Sequence, residues 1–344
     1  SFQLIREIFM KKVLFTLLAL GAASGGALAQ SSVTMYGVAD AGLVFDKDAA
    51  GDRLNRVASG VASGSRIGFK GTEDLGNNLK ANFLLENGLD LDTGAYRQGA
   101  LFGRKAYVGL SGDFGTVNLG LQHNPLFTAL DNIDPFETGM TGASINLMSV
   151  ASLRTKNSIM YETPKVKGLS ASIMYGLGEK PDSATLGRTI DFSIDYANGP
   201  LVLTLAHDNR KDTPLNTAKV TLLGGTYDFG PAKLHAAYET DKDDVGTDFR
   251  DYLLGVSAPV GAAGSVMASY IRKDDRTNAR RGGRQLAIGY TYALSKRTNL
   301  YTSYGRINND GAGTNFVGDA SSGGSVPLPG HNSSAFTAGM RLKF

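Results

Sequence analysis

Cysteine and tryptophan are missing altogether from this 344-residue chain, histidine occurs four times and proline ten times. Without thiols there is no disulfide framework and no thiolate metal centre, so the fold must rest on hydrogen bonding and packing. None of His123, His207, His235 and His331 has a second histidine or a cysteine at metal-ligand spacing. No G-x-S-x-G or P-loop is present. Asp113-Phe114-Gly115 spells a kinase metal motif, but the rest of that set does not accompany it, and the triplet recurs at Asp228-Phe229-Gly230 as a hairpin turn. Asp46-Lys47-Asp48 begins like a calcium loop, yet Ala50 and Val57 stand where two of its ligands belong. The expectation is therefore no catalytic residue, no metal and no cofactor. Long helix-period stretches are also lacking after the first 30 residues, which argues against an ordinary soluble enzyme.

One strongly apolar run exists, at the N-terminus. Met10-Lys11-Lys12 is a short basic region, Val13 to Ala23 an apolar core, and Ala27-Leu28-Ala29 a small-x-small cleavage pattern before Gln30. The run is shorter than the roughly 20 residues that cross a bilayer, so it reads as a secretory leader. The expected organisation is an upstream extension over 1–9, a signal peptide over 10–29 and one unit over 30–344. The full chain carries 35 Lys+Arg against 32 Asp+Glu; Arg6, Glu7, Lys11 and Lys12 lie before Gln30, which leaves 32 against 31. So balanced a charge gives no case for nucleic acid.

What is abundant is glycine, at 44, together with 14 tyrosines and 16 phenylalanines. After the leader, apolar and polar residues alternate with period two in segments of about ten, the length of a tilted membrane strand. Phe336, Ala338, Met340, Leu342 and Phe344 share one face of the last segment; Ala335, Thr337, Gly339, Arg341 and Lys343 share the other. Leu79, Ala81, Phe83 and Leu85 likewise oppose Lys80, Asn82 and Glu86. Leu286, Ile288, Tyr290 and Tyr292 oppose Gln285, Gly289 and Thr291.

A soluble sandwich alternates too, so the connections decide. Seven short turn-rich links, near 73–78, 111–115, 163–165, 198–200, 228–231, 259–261 and 295–297, interleave with eight longer ones. The longer links lie near 46–62, 88–101, 123–153, 177–187, 209–216, 240–249, 272–283 and 307–332. Fifteen links separate about 16 strands in an up-and-down meander, with the short turns at one rim and the long loops at the other. That is the asymmetry of a bacterial outer-membrane barrel, with periplasmic turns and extracellular loops. In lipid an unpaired backbone group costs several kcal/mol, so the last strand (334–344) is expected to close on the first (33–45). The fold class is thus all-β, a transmembrane antiparallel β-barrel.

Five segments carry a family resemblance. Val33-Thr34-Met35-Tyr36-Gly37-Val38-Ala39-Asp40, the stretch from Ser65 to Gly76, Phe102 to Leu110, Lys156-Asn157-Ser158-Ile159-Met160-Tyr161 and Gly339 to Phe344 occur in an order that resembles the Gram-negative general diffusion porins, particularly the betaproteobacterial branch. The resemblance implies a 16-stranded barrel, usually a homotrimer, with its third loop folded into the lumen. Here that loop is 123–153, the longest link, containing Asp131-Asn132-Ile133-Asp134-Pro135-Phe136-Glu137. It implies further that the terminal Phe344 addresses the barrel-assembly machinery, and that outer-membrane lipid and lipopolysaccharide surround the protein.

By the same resemblance, Arg66, Arg104 and Lys156 match a basic cluster on the pore wall. Alternation independently turns Arg66 inward, because Ile67 and Phe69 form the opposite face. It places Lys156 inward against Ile159 and Tyr161, and Lys80 inward as well; Arg104 is less clean, because Lys105 then shares a face with Tyr107. A basic residue on the lipid face at midplane would cost roughly 2–4 kcal/mol. Asp131, Asp134 and Glu137 are the candidate acidic wall opposite, although Asp also caps local turns. The inward charges lean basic, so passive diffusion with weak anion preference is expected. Rival readings are a substrate-specific channel, a surface adhesin barrel and an outer-membrane hydrolase. The hydrolase would need a nucleophile beside a histidine at the rim, and the sequence pairs neither His207 nor His235 with one.

Overall fold

The period-two segments become seventeen strands of one antiparallel sheet whose first and last members pair. The computed structural model describes residues 32–47, 51–318 and 325–344. The leader and its upstream extension, expected over 1–29, lie outside the described residues. In chain order the strands are β1 (Ser32–Lys47), β2 (Arg53–Ser59), β3 (Arg66–Gly76), β4 (Leu79–Gly88), β5 (Lys105–Gly112) and β6 (Gly115–His123). After helix α1 (Pro125–Ile133) come β7 (Arg154–Glu162), β8 (Leu169–Gly176), β9 (Thr189–Asn198), β10 (Leu201–Thr213) and β11 (Asn216–Asp228). The rest are β12 (Lys233–Lys242), β13 (Asp248–Val260), β14 (Gly264–Asp275), β15 (Gly283–Ala293), β16 (Thr298–Asn309) and β17 (Ser333–Lys343).

Seventeen segments make a barrel of sixteen staves, because β2 and β3 are two halves of one. Both pair with β1, β3 with its first half (Ser32↔Thr72 to Val38↔Arg66) and β2 with its second (Ala41↔Ser59 to Lys47↔Arg53). Between them the chain leaves the wall over 60–65. Closure follows from Val38↔Lys343 to Phe45↔Phe336 between β1 and β17, so no sheet edge is left to face lipid. The links alternate in length as expected, but strands run further into several long ones. The link expected over 209–216 shrinks to the two residues between β10 and β11, and most of 46–62 is strand.

Outside and inside are distinct. On β15, Leu286 and Ile288 are about three-fifths exposed, while Gln285 and Ala287 between them are buried. Phe336, Met340 and Leu342 of β17 face outward, and Ala335 and Thr337 are buried inside. The outer face is the apolar one, as a lipid-facing wall requires.

The link 124–153 lies within the barrel. Leu126, Leu130, Ile133, Leu147, Met148 and Val150 pack on inward-facing Ala206, Val220, Leu222, Leu253, Ile271 and Ile307 of the opposite wall. Helix α1 starts where Asn124 caps it, its side chain accepting from the Phe127 N–H at 2.7 Å, with Pro125 in the first turn. Asp191 on β9 takes the Leu126 N–H at 3.0 Å. Further along, the Glu239 carboxylate accepts from Ser149 N–H, Gln285 donates to the Gly142 carbonyl and Lys273 to that of Leu147. Apolar packing holds the loop, and these side chains fix its register on the wall.

Candidate functional site

The narrow region of the lumen is built from four pieces: the third loop, the excursion 60–65, the upper ends of β4 and β5, and the end of β17. The excursion is drawn inward by Asp40, whose carboxylate accepts from Ala62 N–H (3.3 Å), Ser63 N–H (3.1 Å) and the Tyr301 hydroxyl (2.8 Å). It meets the third loop where Met140 N–H donates to the Val61 carbonyl at 2.6 Å.

Arg66 and Arg104 are brought together on one carboxylate, Glu86. Arg104 Nε lies 2.8 Å from Oε1 and Arg66 Nε 3.6 Å from Oε2, while the Tyr36 hydroxyl donates to Oε2 at 2.8 Å. The Arg66 guanidinium also donates to the Gly64 carbonyl at 2.8 Å, which ties the excursion to the wall. The two arginines carry two charges against one on Glu86, so the cluster stays net positive. A cavity of about 520 Å³ opens onto them, and Arg97, Arg154, Arg341 and Lys343 line it as well. Its acidic lining is Asp131 and Glu137. A second cavity of about 580 Å³ lies against the other side of the loop and shares Ala62, Asp131, Glu137 and Arg341 with the first. These shared residues ring the passage between the two.

The other basic residues named from sequence lie elsewhere. Lys80 faces the same side of β4 as Glu86 but six positions nearer the short turn, about 20 Å along the strand at 3.3 Å per residue. Lys156 is exposed and does not line the cavity of Arg66 and Arg104. A bulge explains its placement: the β6–β7 register slips between Gly120↔Ser158 and Gln122↔Thr155, and Asn157 takes a positive φ of 51°. Thr155 and Ser158 are both buried, so the simple alternation that turned Lys156 inward does not run through this strand. Arg154, one step beyond, lines the cavity instead.

On the loop, the three acids differ. Asp131 lines both cavities and accepts from the Thr138 hydroxyl at 2.5 Å; burial raises its carboxyl from the ordinary range. Glu137 is the most open, with one oxygen 3.8 Å from an Arg341 guanidinium nitrogen across the passage. Asp134 is buried and serves as the hub of the loop: it accepts from the backbone N–H groups of Phe136 (2.9 Å), Thr138 (3.2 Å) and Ser144 (2.6 Å). Those bonds support Glu137, Thr138 and Met140 in left-handed backbone conformations, unusual for residues with a Cβ. Burial nevertheless pushes the Asp134 carboxyl up to about 6.

Arg341 and Arg154 were not among the wall residues expected from sequence. Arg341 was legible, since it shares the inward face of the last strand with Ala335 and Thr337. Arg154 gave no such signal, because a bulge is not written in the alternation it disrupts. Phe344 closes the barrel seam: its N–H donates to the Gly37 carbonyl at 3.1 Å and its carbonyl accepts from Gly37 N–H at 2.9 Å.

Comparison with known proteins agrees with this architecture. A family model described as Gram-negative porin matches residues 16–312. Outer membrane porin protein 32 of Delftia acidovorans is 38% identical over 325 residues, covering 89% of this chain and 92% of the relative. An outer membrane porin protein of Bordetella pertussis is 32% identical, covering 86% and 94%. Among solved structures, an anion-selective porin from Comamonas acidovorans superposes with a TM-score of 0.83 at 33% identity, covering 92% of this chain and all of that one. A trimer form of OmpT from Vibrio cholerae shares the fold at 17% identity, with a TM-score of 0.71.

Proposed function

This chain belongs to the Gram-negative porin family, and from that premise we propose that its lumen is an anion-preferring diffusion channel whose selectivity is set by Arg66, Arg104, Arg154 and Arg341 facing Asp131 and Glu137. As a porin it is an outer-membrane barrel through which ions and small hydrophilic solutes pass passively, and family and fold point to a channel rather than an enzyme. The observation that carries the anion preference is the lining of the 520 Å³ cavity, where six Lys and Arg side chains meet two acidic ones. In a narrow, low-dielectric passage such an imbalance raises local anion concentration and opposes cations. Glu86 offsets part of it, which fits a modest bias rather than strict exclusion.

The opposed rows supply a transverse field. Solutes with separated charge orient in it, and water passes without penalty. Asp134 acts differently from its neighbours in this scheme, fixing the loop that carries Asp131 and Glu137. Lys156 and Lys80 contribute to the potential along the barrel but stand away from the narrowest part.

The protein self-associates in the outer membrane in this reading, as a homotrimer, with its long loops extracellular, its short turns periplasmic, and lipopolysaccharide around its upper rim. Residues 10–29 direct export and are removed; 30–344 form the barrel; and Phe344, at the seam, presents the C-terminus to the barrel-assembly machinery. Reversal potentials of the refolded protein in a planar bilayer under a KCl gradient test the channel assignment. A chloride-favouring potential that shrinks as salt rises is expected, because screening shortens the reach of the arginines. A cation-favouring potential would refute it.

A further inference from the structure

The outer wall carries an arrangement that solute passage does not use. At the long-loop end, four consecutive strands each turn an arginine outward: Arg250 of β13, Arg272 of β14, Arg284 of β15 and Arg306 of β16. Their orientation follows from their neighbours, since Asp251, Lys273, Gln285 and Ile307 are the buried, lumen-facing residues beside them. Immediately below come outward aromatics, with Tyr252 opposite Arg272 and Tyr304 opposite Ile288. Such a girdle marks the membrane interface, so the arginines stand at headgroup height.

The four are not equivalent. Arg250 has Asp248 at 2.7 Å, and Arg272 has Asp310 at 2.9 Å. Arg284 has no ion pair or hydrogen bond among the described residues, although it sits directly across the ladder from Arg272. Like charges placed opposite each other on a sheet are destabilising. Arg306, one diagonal step away, hydrogen-bonds among the described residues only to the Asn308 side chain, at 3.0 Å. Beneath these two guanidinium groups lies an outward cavity of about 270 Å³ floored by Leu286, Ile288 and Tyr304. Arg280, exposed in the link just above, adds a further cation.

We infer that Arg284 and Arg306, with the groove of Leu286, Ile288 and Tyr304, form a binding site for a phosphorylated glycolipid of the outer leaflet, lipid A in chemistry. The inference rests on the outer-membrane orientation proposed above. A phosphate monoester between the two forks accepts bidentate hydrogen bonds and relieves the Arg272–Arg284 repulsion. An acyl chain fills the groove that would otherwise expose Leu286 and Ile288. The charge pattern favours this occupant over an uncharged lipid, which would leave both guanidinium groups without an anion.

The test measures lipid retained per barrel by native mass spectrometry. The folded protein in mild detergent is incubated with bis-phosphorylated lipid A or with the same lipid stripped of phosphate. Wild type should retain the phosphorylated form; R284Q/R306Q should retain about tenfold less, the loss of a charge-assisted contact; and R284K/R306K should recover part of it. Equal retention by wild type and R284Q/R306Q overturns the site, as does equal retention of the stripped lipid. Displacement by equimolar inorganic phosphate would assign the arginines to free anion instead. If R284Q/R306Q dissociates the oligomer while lipid retention is unchanged, the face belongs to a second copy. Bilayer conductance of the same preparations reports the channel assignment separately, so failure of one does not imply failure of the other.

Discussion

Arg104 and Glu86 form a buried ion pair on the basic wall, with Arg104 Nε 2.8 Å from Glu86 Oε1. Glu86 also answers Arg66 and Tyr36, so a single carboxylate sets the geometry of the basic wall. Removing one partner of a buried pair leaves an uncompensated charge, typically about 3–5 kcal/mol. Two opposite readouts follow for Glu86→Gln. Anion preference should rise, because the wall gains a net positive charge, while the temperature of heat-induced unfolding on a gel should fall. Unchanged selectivity would mean that ions in transit do not sense this wall.

The bulge at 155–158 makes a prediction that simple alternation does not. Arg154 lines the arginine-rich cavity and Lys156 does not. Arg154→Gln should lower the chloride-to-potassium permeability ratio clearly, and Lys156→Gln should change it little. A roughly equal effect of the two substitutions would contradict the register slip. Reversal potentials at low salt, where screening is least, give the sharpest comparison.

Sequence periodicity went far with this wall because lipid imposes a strict rule on it: every second side chain is apolar and no edge is left open. The meander and the closure of the last strand on the first both follow from that rule. The inner face obeys no such rule. Leu222 and Leu253 turn inward beside outward Leu223 and Leu254, forming a dry bed for the third loop. In sequence these pairs merely blur the alternation. The long link expected near 46–62 gives no sign that the chain over 60–65 turns inward; Asp40, distant in sequence, holds it there, with Ala62 N–H, Ser63 N–H and the Tyr301 hydroxyl all donating to its carboxylate. Asp134 looked like its acidic neighbours, and only burial separates the loop's hub from its charged tip.

Asp134 also sets a pH dependence. Burial raises its carboxyl to about 6 from an unfolded value of 3.8. A carboxyl whose folded pKa is raised costs stability when ionised; the cost is fully present above pH 6 and is relieved as pH falls from 6 toward 3.8. From this group alone, the loop should be held more firmly at pH 4.5 than at pH 7.5, by about 2 kcal/mol. Asp134→Asn should be worse than either state, since its NH₂ group replaces one accepting oxygen and leaves either Phe136 N–H or the Thr138 and Ser144 N–H pair without a partner. Single-channel noise reads this: wild type should be quieter at pH 4.5, and the Asn variant noisy at both values. Wild-type noise that rises on acidification would reverse the sign argued here.

The seam between the first and last strands depends on the smallness of Gly37. A Cβ there would stand 2.3 Å from the Phe344 ring and 2.7 Å from the Arg66 carbonyl oxygen, closer than real Cβ contacts allow. The ring could rotate away, but the carbonyl belongs to the β1–β3 ladder and cannot move without breaking it. Gly37→Val should therefore open the hydrogen-bonded closure between Gly37 and Phe344, and backbone groups unpaired in lipid cost several kcal/mol. The expected result is a large loss of folded, heat-modifiable barrel on gels. Phe344→Ala removes the ring but keeps the main-chain pairing, so on steric grounds it should relieve part of the Gly37→Val defect when the two are combined. If Gly37→Val folds as well as wild type, the close contact at the seam does not exist in the membrane. If the double variant is no better than Gly37→Val alone, the obstacle is the Arg66 carbonyl rather than the terminal ring.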